Sequence, residues 1–253
     1  MAPTLEEILR RRPPGRIVDV IARMEEIGAA LPPGDGIGAF NLLYLEVTRG
    51  VLASLRPGRF QDPRFLRWLD VVFANLYFEA LRALVLGPGP APRAWAPLVE
   101  ARGRPGILPL QFALAGMNAH INRDLPVALV DTWRSLRIPP RRPSPQYDDY
   151  RLVNELLEDA QERVRAVFLR GAIGVLDEAL GREDDVLALW KVSTAREAAW
   201  ANGEVLWALR GLPHVQRRFL HALDRMVGFA GRGILSVGKP MVPPRAPSFT
   251  PRR

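Results

Sequence analysis

Between Gln111 and Leu129 the chain reads QFALAGMNAHINRDLPVAL, so Asn118, His120, Asn122, Arg123 and Asp124 stand between two strongly apolar flanks. Polar groups in such a setting find hydrogen-bond partners or cost a few kcal/mol each, so they form a network or line a cavity. The functional reading makes His120 a general acid or base, because an imidazole titrates close to neutrality and can take up and return a proton. Asp124 would orient the ring, and Asn118 and Asn122 would position a polar substrate. The competing reading is structural: Asp124 caps the helix that follows it, and His120 satisfies backbone groups at the turn.

Other polar side chains fall on otherwise apolar helical faces and are candidates to meet this segment. They are Glu46, Asp70, Tyr77, Glu79, Tyr147, Asp149, Asn154, Arg196, Glu197 and Trp200. Tyr77 follows Asp70 by about two helical turns, so both can face one interior. From this set Tyr77 and Asn154 join the expected site as substrate-binding groups, beside Asn118 and Asn122, with His120 and Asp124 catalytic.

Several chemistries lose support. The 253 residues include no cysteine, which removes disulfides, thiolate metal sites and cysteine nucleophiles. His120 with Asp124, or His214 with His221, could supply two metal ligands each. A helical di-metal carboxylate site usually carries Glu-x-x-His pairs, however; none occurs, and there are three histidines in all. No metal and no cofactor is expected. A helical cyclase for isoprenoid diphosphates would use aspartates to hold magnesium. Asp148-Asp149 lacks the further aspartate of such a motif, and the Asn154, Glu158, Glu162 series lacks its serine. There is no GxSxG elbow, phosphate-binding glycine loop or dinucleotide fingerprint.

The formal charge of +8 raises the question of nucleic acid. Half of the excess sits between Lys239 and Arg253, where Lys239, Arg245, Arg252 and Arg253 meet no acid. The remaining arginines are interleaved with glutamate and aspartate, without an aromatic-interleaved basic stripe, so no nucleic-acid partner is expected. The N-terminal residues lack an uninterrupted apolar stretch of the signal-peptide kind, and no apolar run reaches the roughly 18 to 20 residues of a membrane span. A cytoplasmic protein with a small-molecule substrate and no membrane partner is the expectation; the sequence is silent on oligomeric state.

Helix signals dominate, and strand signals are almost absent. Thr4 and Glu7 have capping-box spacing before a short first helix. A second helix is expected from about Arg16 to Leu31 and a third, capped by Asp35, from about Ile37 to Leu55. Asp62-Pro63 pairs an N-cap with proline at the first helical position and opens a long helix to about Leu86. After the GPGPAPR connector come helices at about Trp95 to Ala101, Leu108 to His120, and Asp124 to Leu136. A long helix is expected from Asp149 to Leu180, with Leu152, Leu156, Val164, Val167 and Phe168 on its apolar face. Thr194 and Glu197 suggest a capping box for a helix to Leu209, and Pro213 opens the last, to about Phe229. The fold class expected is all-α: a single-domain bundle of about eight to ten helices with proline-rich connectors over 1–235, followed by a basic, disordered tail over 236–253.

The run GMNAHINRDLPVAL, with FANLYFEAL at Phe73 to Leu81 and DDYRLVN at Asp148 to Asn154, resembles a bacterial family catalogued as domain of unknown function 5995. The resemblance covers roughly residues 15 to 235. It implies a helical domain found in filamentous soil bacteria, with no activity to transfer, and it raises the interest of Asn118, His120, Asn122 and Asp124 beyond capping. Two functions follow. One is a metal-independent acid–base enzyme of specialised metabolism acting on a small organic molecule; the other is a noncatalytic helical module that binds a ligand or a protein. An enzyme should place His120 on the wall of an enclosed pocket with at least one of Asp124, Tyr77 or Asn154 in hydrogen-bond reach, whereas a module should show it fully packed, with no cavity beside it.

Overall fold

The cap signals of the N-terminal half each start a helix. Thr4 Oγ1 accepts from the Glu7 amide at 3.3 Å while Glu7 accepts from the Thr4 amide at 2.9 Å, which satisfies two orphan donors at the start of α1 (Leu5–Arg10). α2 (Ile17–Ala30) buries Ile17, Val20, Met24 and Ile27 along one stripe. Asp35 accepts from the Ile37 amide at 2.8 Å and starts α3 (Gly36–Ser54). Asp62 does the same for the Phe65 amide at 3.0 Å, with Pro63 opening α4 (Pro63–Leu86). The computed structural model describes residues 2–87, 91–157 and 192–236, and among these there is no strand. The fold is an all-helical bundle.

α5 (Ala96–Ala101) is followed by a continuous rod built from α6 (Pro109–Ala119), one turn of π-helix (His120–Asp124) and α7 (Leu125–Leu136). The sequence signals predict a break and a new cap at Asp124; instead, Asp124 makes no capping bond and the helix runs through. Pro126 explains the difference. It has no N–H, and its ring would press on the carbonyl four residues earlier in a regular α-turn. The chain relieves this by widening, so that the Leu125 amide reaches back five residues to the His120 carbonyl.

The C-terminal half departs from expectation at three ends. The helix expected from Asp149 is already formed over residues 145–157 (α8), because Ser144 Oγ caps the Tyr147 amide at 3.1 Å. Its later part, with Val164, Val167 and Phe168, lies outside the described residues, as does 237–253 of the basic tail. Thr194 and Glu197 sit inside α9 (Val192–Ala208) rather than at its start, and Glu197 instead accepts from the Tyr147 hydroxyl at 2.7 Å. After a 3₁₀ turn (Leu209–Gly211), α10 (Pro213–Ser236) runs seven residues past the expected end at Phe229. Gly228 and Gly231 belong to a packing seam: a Cβ on Gly228 would stand 2.6 Å from the Arg93 carbonyl oxygen, and one on Gly231 would stand 3.4 Å from Pro97.

The rod from α6 to α7 is the axis of the bundle. α3, α5 and α10 pack on α6, α4 and α9 on α7, and α4, α9 and α10 also meet the π turn; α1 and α2 close the outside against α3 and α4. No helix among the described residues is long and apolar enough to cross a membrane. The α3–α6 crossing is close because Gly116 has no side chain, and a Cβ there would lie 2.4 Å from the Phe40 ring. Phe40 is 1% exposed and cannot retreat. Gly116→Ala is therefore expected to overpack this crossing and to destabilise by about 1–3 kcal/mol, measured by denaturant unfolding, although alanine is the better helix former.

Candidate functional site

Asp124 is fully buried in the π turn, and three donors from two parts of the chain converge on it. Trp95 Nε1, at the start of α5, donates to Oδ2 at 2.8 Å; Arg123 Nη1 donates to Oδ1 at 2.8 Å; His120 Nδ1 stands 3.1 Å from Oδ2. Burial alone would raise this carboxyl, but the hydrogen bonds and charges of His120 and Arg123 outweigh it and hold Asp124 below its ordinary range, as a carboxylate. His120 is lowered as well, which for an imidazole favours the neutral form. Burial lowers it despite Asp124, so the ring is neutral near pH 7. A neutral ring beside a carboxylate acceptor carries its proton on Nδ1, which leaves Nε2 as a free base.

His120 lines a cavity. Its volume is about 80 Å³, and its walls include Leu43, Val47, Leu66, Leu69, Met117 and Leu125. Four polar side chains share that wall: Tyr44 from α3, Asp70 from α4, His120 from the π turn and Arg196 from α9. The imidazole is clamped in place. Phe73 stacks on it at 3.5 Å with an interplanar angle of 5°, and Tyr44 meets it edge-on at 4.5 Å.

Three buried polar atoms of residues that line this cavity have no hydrogen-bond partner among the described residues: His120 Nε2, Tyr44 Oη and Asp70 Oδ2. Buried polar atoms in proteins are nearly always satisfied, so three around one cavity mark it as a candidate place to hold a polar group of a bound molecule or water. Burial pushes the Asp70 carboxyl up to about 7. The Tyr44 hydroxyl is raised well above its ordinary value, first by burial and then by the charges of Asp70, Asp124 and Tyr77, so it stays an O–H donor. Arg196 is different. Its Nε donates to Asn154 Oδ1 and its Nη2 to the Tyr150 carbonyl, each at 2.7 Å, and its guanidinium lies 4.0 Å over the Tyr150 ring.

The residues singled out in the sequence separate into groups. His120 and Asp124 stand together at the cavity, and Asn154 reaches it through Arg196. Asn118 Nδ2 donates to the Val227 carbonyl at 2.9 Å and its Oδ1 accepts from Asn122 at 3.1 Å, which ties α6 to α10. The Tyr77 hydroxyl donates to Asn41 at 3.2 Å, which in turn bonds the Met24 carbonyl. Asp149 accepts from the amides of Gln61 and Asp62 and holds the α3–α4 loop. Tyr44 is the residue sequence reasoning missed: it sits in the apolar stripe of α3, where a tyrosine reads as core, and only the missing partner of its hydroxyl distinguishes it.

A family model described as a family of unknown function (DUF5995) matches residues 17–237. The chain belongs to this family. No curated protein and no solved structure matches it. The DUF5995 match spans every cavity residue named above, so the π turn, the Asp124 cluster and the unpartnered atoms lie within the family's domain. Among the described residues, no three histidine or acidic side chains gather as a metal-binding group.

Asp70 supplies a measurable pH signature. Its carboxyl titrates near 3.8 when unfolded and about 7 when folded, so the stabilising proton is fully bound below the lower value and lost as pH rises through the upper one. From pH 4 to pH 8 the wild type should lose at most about 4 kcal/mol relative to Asp70→Asn, which lacks this titration. Denaturant unfolding of both proteins across that range checks it, and parallel pH profiles would refute the assignment.

Proposed function

We propose that this DUF5995 chain is a cytoplasmic enzyme that performs acid–base chemistry on a small organic molecule, in specialised metabolism, with His120 as the proton acceptor and donor. The observation that carries this reading is the state of the imidazole: Asp124 holds Nδ1, aromatic rings fix the plane, and Nε2 stands without a protein partner on a cavity wall. A histidine used only for packing or turn satisfaction has no need of a buried carboxylate behind it and a free nitrogen in front. Asp124 supplies the orientation and stabilises the imidazolium formed when the proton arrives.

The cavity supports a compact substrate. Its volume of about 80 Å³ is well below the roughly 300–1,000 Å³ of sites for drug-sized ligands. The mostly apolar lining lowers the polarity around the reacting centre, which strengthens each hydrogen bond made there. Asn154 acts at one remove by fixing Arg196, and Asn118, Asn122 and Tyr77 act by holding the helices that form the walls.

The test is a comparison of wild type with His120→Gln, which keeps a polar side chain of similar reach but cannot take the proton. Each protein is incubated with an extract of small metabolites, and the compounds consumed are followed by mass spectrometry. Compounds turned over by the wild type should react about 10²–10⁴-fold more slowly with the variant. Equal turnover by both proteins contradicts the role of His120, and a compound bound but recovered unchanged assigns the chain to ligand binding instead.

A further inference from the structure

The acid–base reading uses one of the three unpartnered atoms on the cavity. The other two, Tyr44 Oη and Asp70 Oδ2, come from different helices, α3 and α4, and bond to none of the described residues. Asp70 and Phe73 lie three residues apart on one face of α4, and Phe73 is the ring that stacks on His120. Tyr44 packs against both Phe73, at 5.8 Å, and His120, at 4.5 Å. The three polar groups are therefore neighbours around one small apolar space, and a molecule that contacts one of them lies close to the others.

We propose that Tyr44 and Asp70 are a pair of hydrogen-bond donors for a carbonyl oxygen, and that the substrate class is a compact, largely apolar carbonyl compound with a C–H bond beside the carbonyl. This rests on His120 being the base and adds what lies across from it. The Tyr44 hydroxyl keeps its proton in this burial, and the Asp70 carboxyl, pushed up to about 7, keeps its own through the mildly acidic range and in part at neutrality. One base and two O–H donors in a mostly apolar cavity match proton abstraction next to a carbonyl, in which charge develops on the oxygen.

The step balances without a further reagent. His120 Nε2 takes the proton from carbon; the C–H pair becomes the new C=C bond, and the carbonyl π pair moves to oxygen, giving an enolate held by Tyr44 and Asp70. The imidazolium then delivers the proton to a conjugated carbon, which completes an isomerisation, or first trades it with solvent water so that the original carbon receives a different hydrogen, which completes an exchange; either course regenerates neutral His120. Nothing is oxidised or reduced. Arg196, a cation on the same wall, favours the enolate electrostatically without having to contact it.

4-Nitrophenol is a suitable probe, since its phenolate mimics an enolate oxygen and its absorbance reports ionisation. The wild type should bind it. Tyr44→Phe and Asp70→Leu should each weaken binding on the order of tenfold or more, Asp70→Asn, which retains a donor, should weaken it less, and His120→Gln should change it little. Thermal melts establish that the variants fold; removing an unpartnered hydroxyl or carboxyl should not lower the midpoint. In a second arm, proton–deuterium exchange beside the carbonyl of 2-cyclopentenone in D₂O is followed by NMR. Exchange should be lost in His120→Gln and slowed on the order of tenfold in Tyr44→Phe. Failure of 4-nitrophenol to bind, or equal binding by Tyr44→Phe and wild type, overturns the donor pair. Binding that depends on Tyr44 and Asp70 without any exchange supports the pair and overturns His120 as the base. Exchange that needs His120 but ignores Tyr44 and Asp70 does the reverse.

Discussion

A carboxylate in the centre of a helical bundle is costly unless its charge is met by donors, and Asp124 is met by the indole of Trp95, the guanidinium of Arg123 and the imidazole of His120. These bonds join the π turn to the start of α5, and Arg123 extends them toward Asp224 of α10 at 3.7 Å. Asp224 accepts in turn from the amides of Arg93 and Ala94 ahead of α5. One buried charge thus sets the position of α5, α10 and the central rod together. It also sets the orientation of His120, whose second nitrogen is directed away from the cluster by the same bond that holds the first.

The cavity side of His120 follows a different rule. Of the seven buried side-chain atoms without a protein partner among the described residues, three lie on this single cavity. Leaving such atoms unpaired costs on the order of 1–3 kcal/mol each, and phenylalanine or leucine in place of Tyr44 or Asp70 would fill the same space without that cost. Folds tend to depart from local optimality where function requires it. The contrast with Asp149, Asn118 and Tyr77 is informative: each is polar and semi-enclosed or buried, yet each is satisfied by the protein, and each holds two elements together.

Much of the bundle was legible because local chemistry decided it. Thr4, Asp35 and Asp62 are caps whose partners lie within three residues, so spacing alone finds them. The reading failed where a distant packing partner or a backbone defect intervened. Asp124 followed by Leu125-Pro126 looks like a cap, and only the widened π turn makes it an interior residue. The Thr194/Glu197 pair has the right spacing for a cap, but Glu197 is taken by Tyr147 from another helix. The glycines late in α10 look like a terminus, whereas Gly228 and Gly231 are places where α10 approaches the segment around α5. In the site, the His120–Asp124 pair was visible as a four-residue spacing. Tyr44 was not, since what sets it apart is a missing bond.

The account turns on which nitrogen of His120 carries the proton. In protein labelled with ¹⁵N at histidine, two-bond correlations from the ring carbons distinguish a protonated nitrogen from one with a lone pair. The expected result for His120 near pH 7 is a single neutral tautomer, protonated at Nδ1 toward Asp124 and bare at Nε2 toward the cavity, which gains its second proton only below the ordinary histidine range. A ring protonated at Nε2, or an imidazolium already present at pH 7, would contradict the account.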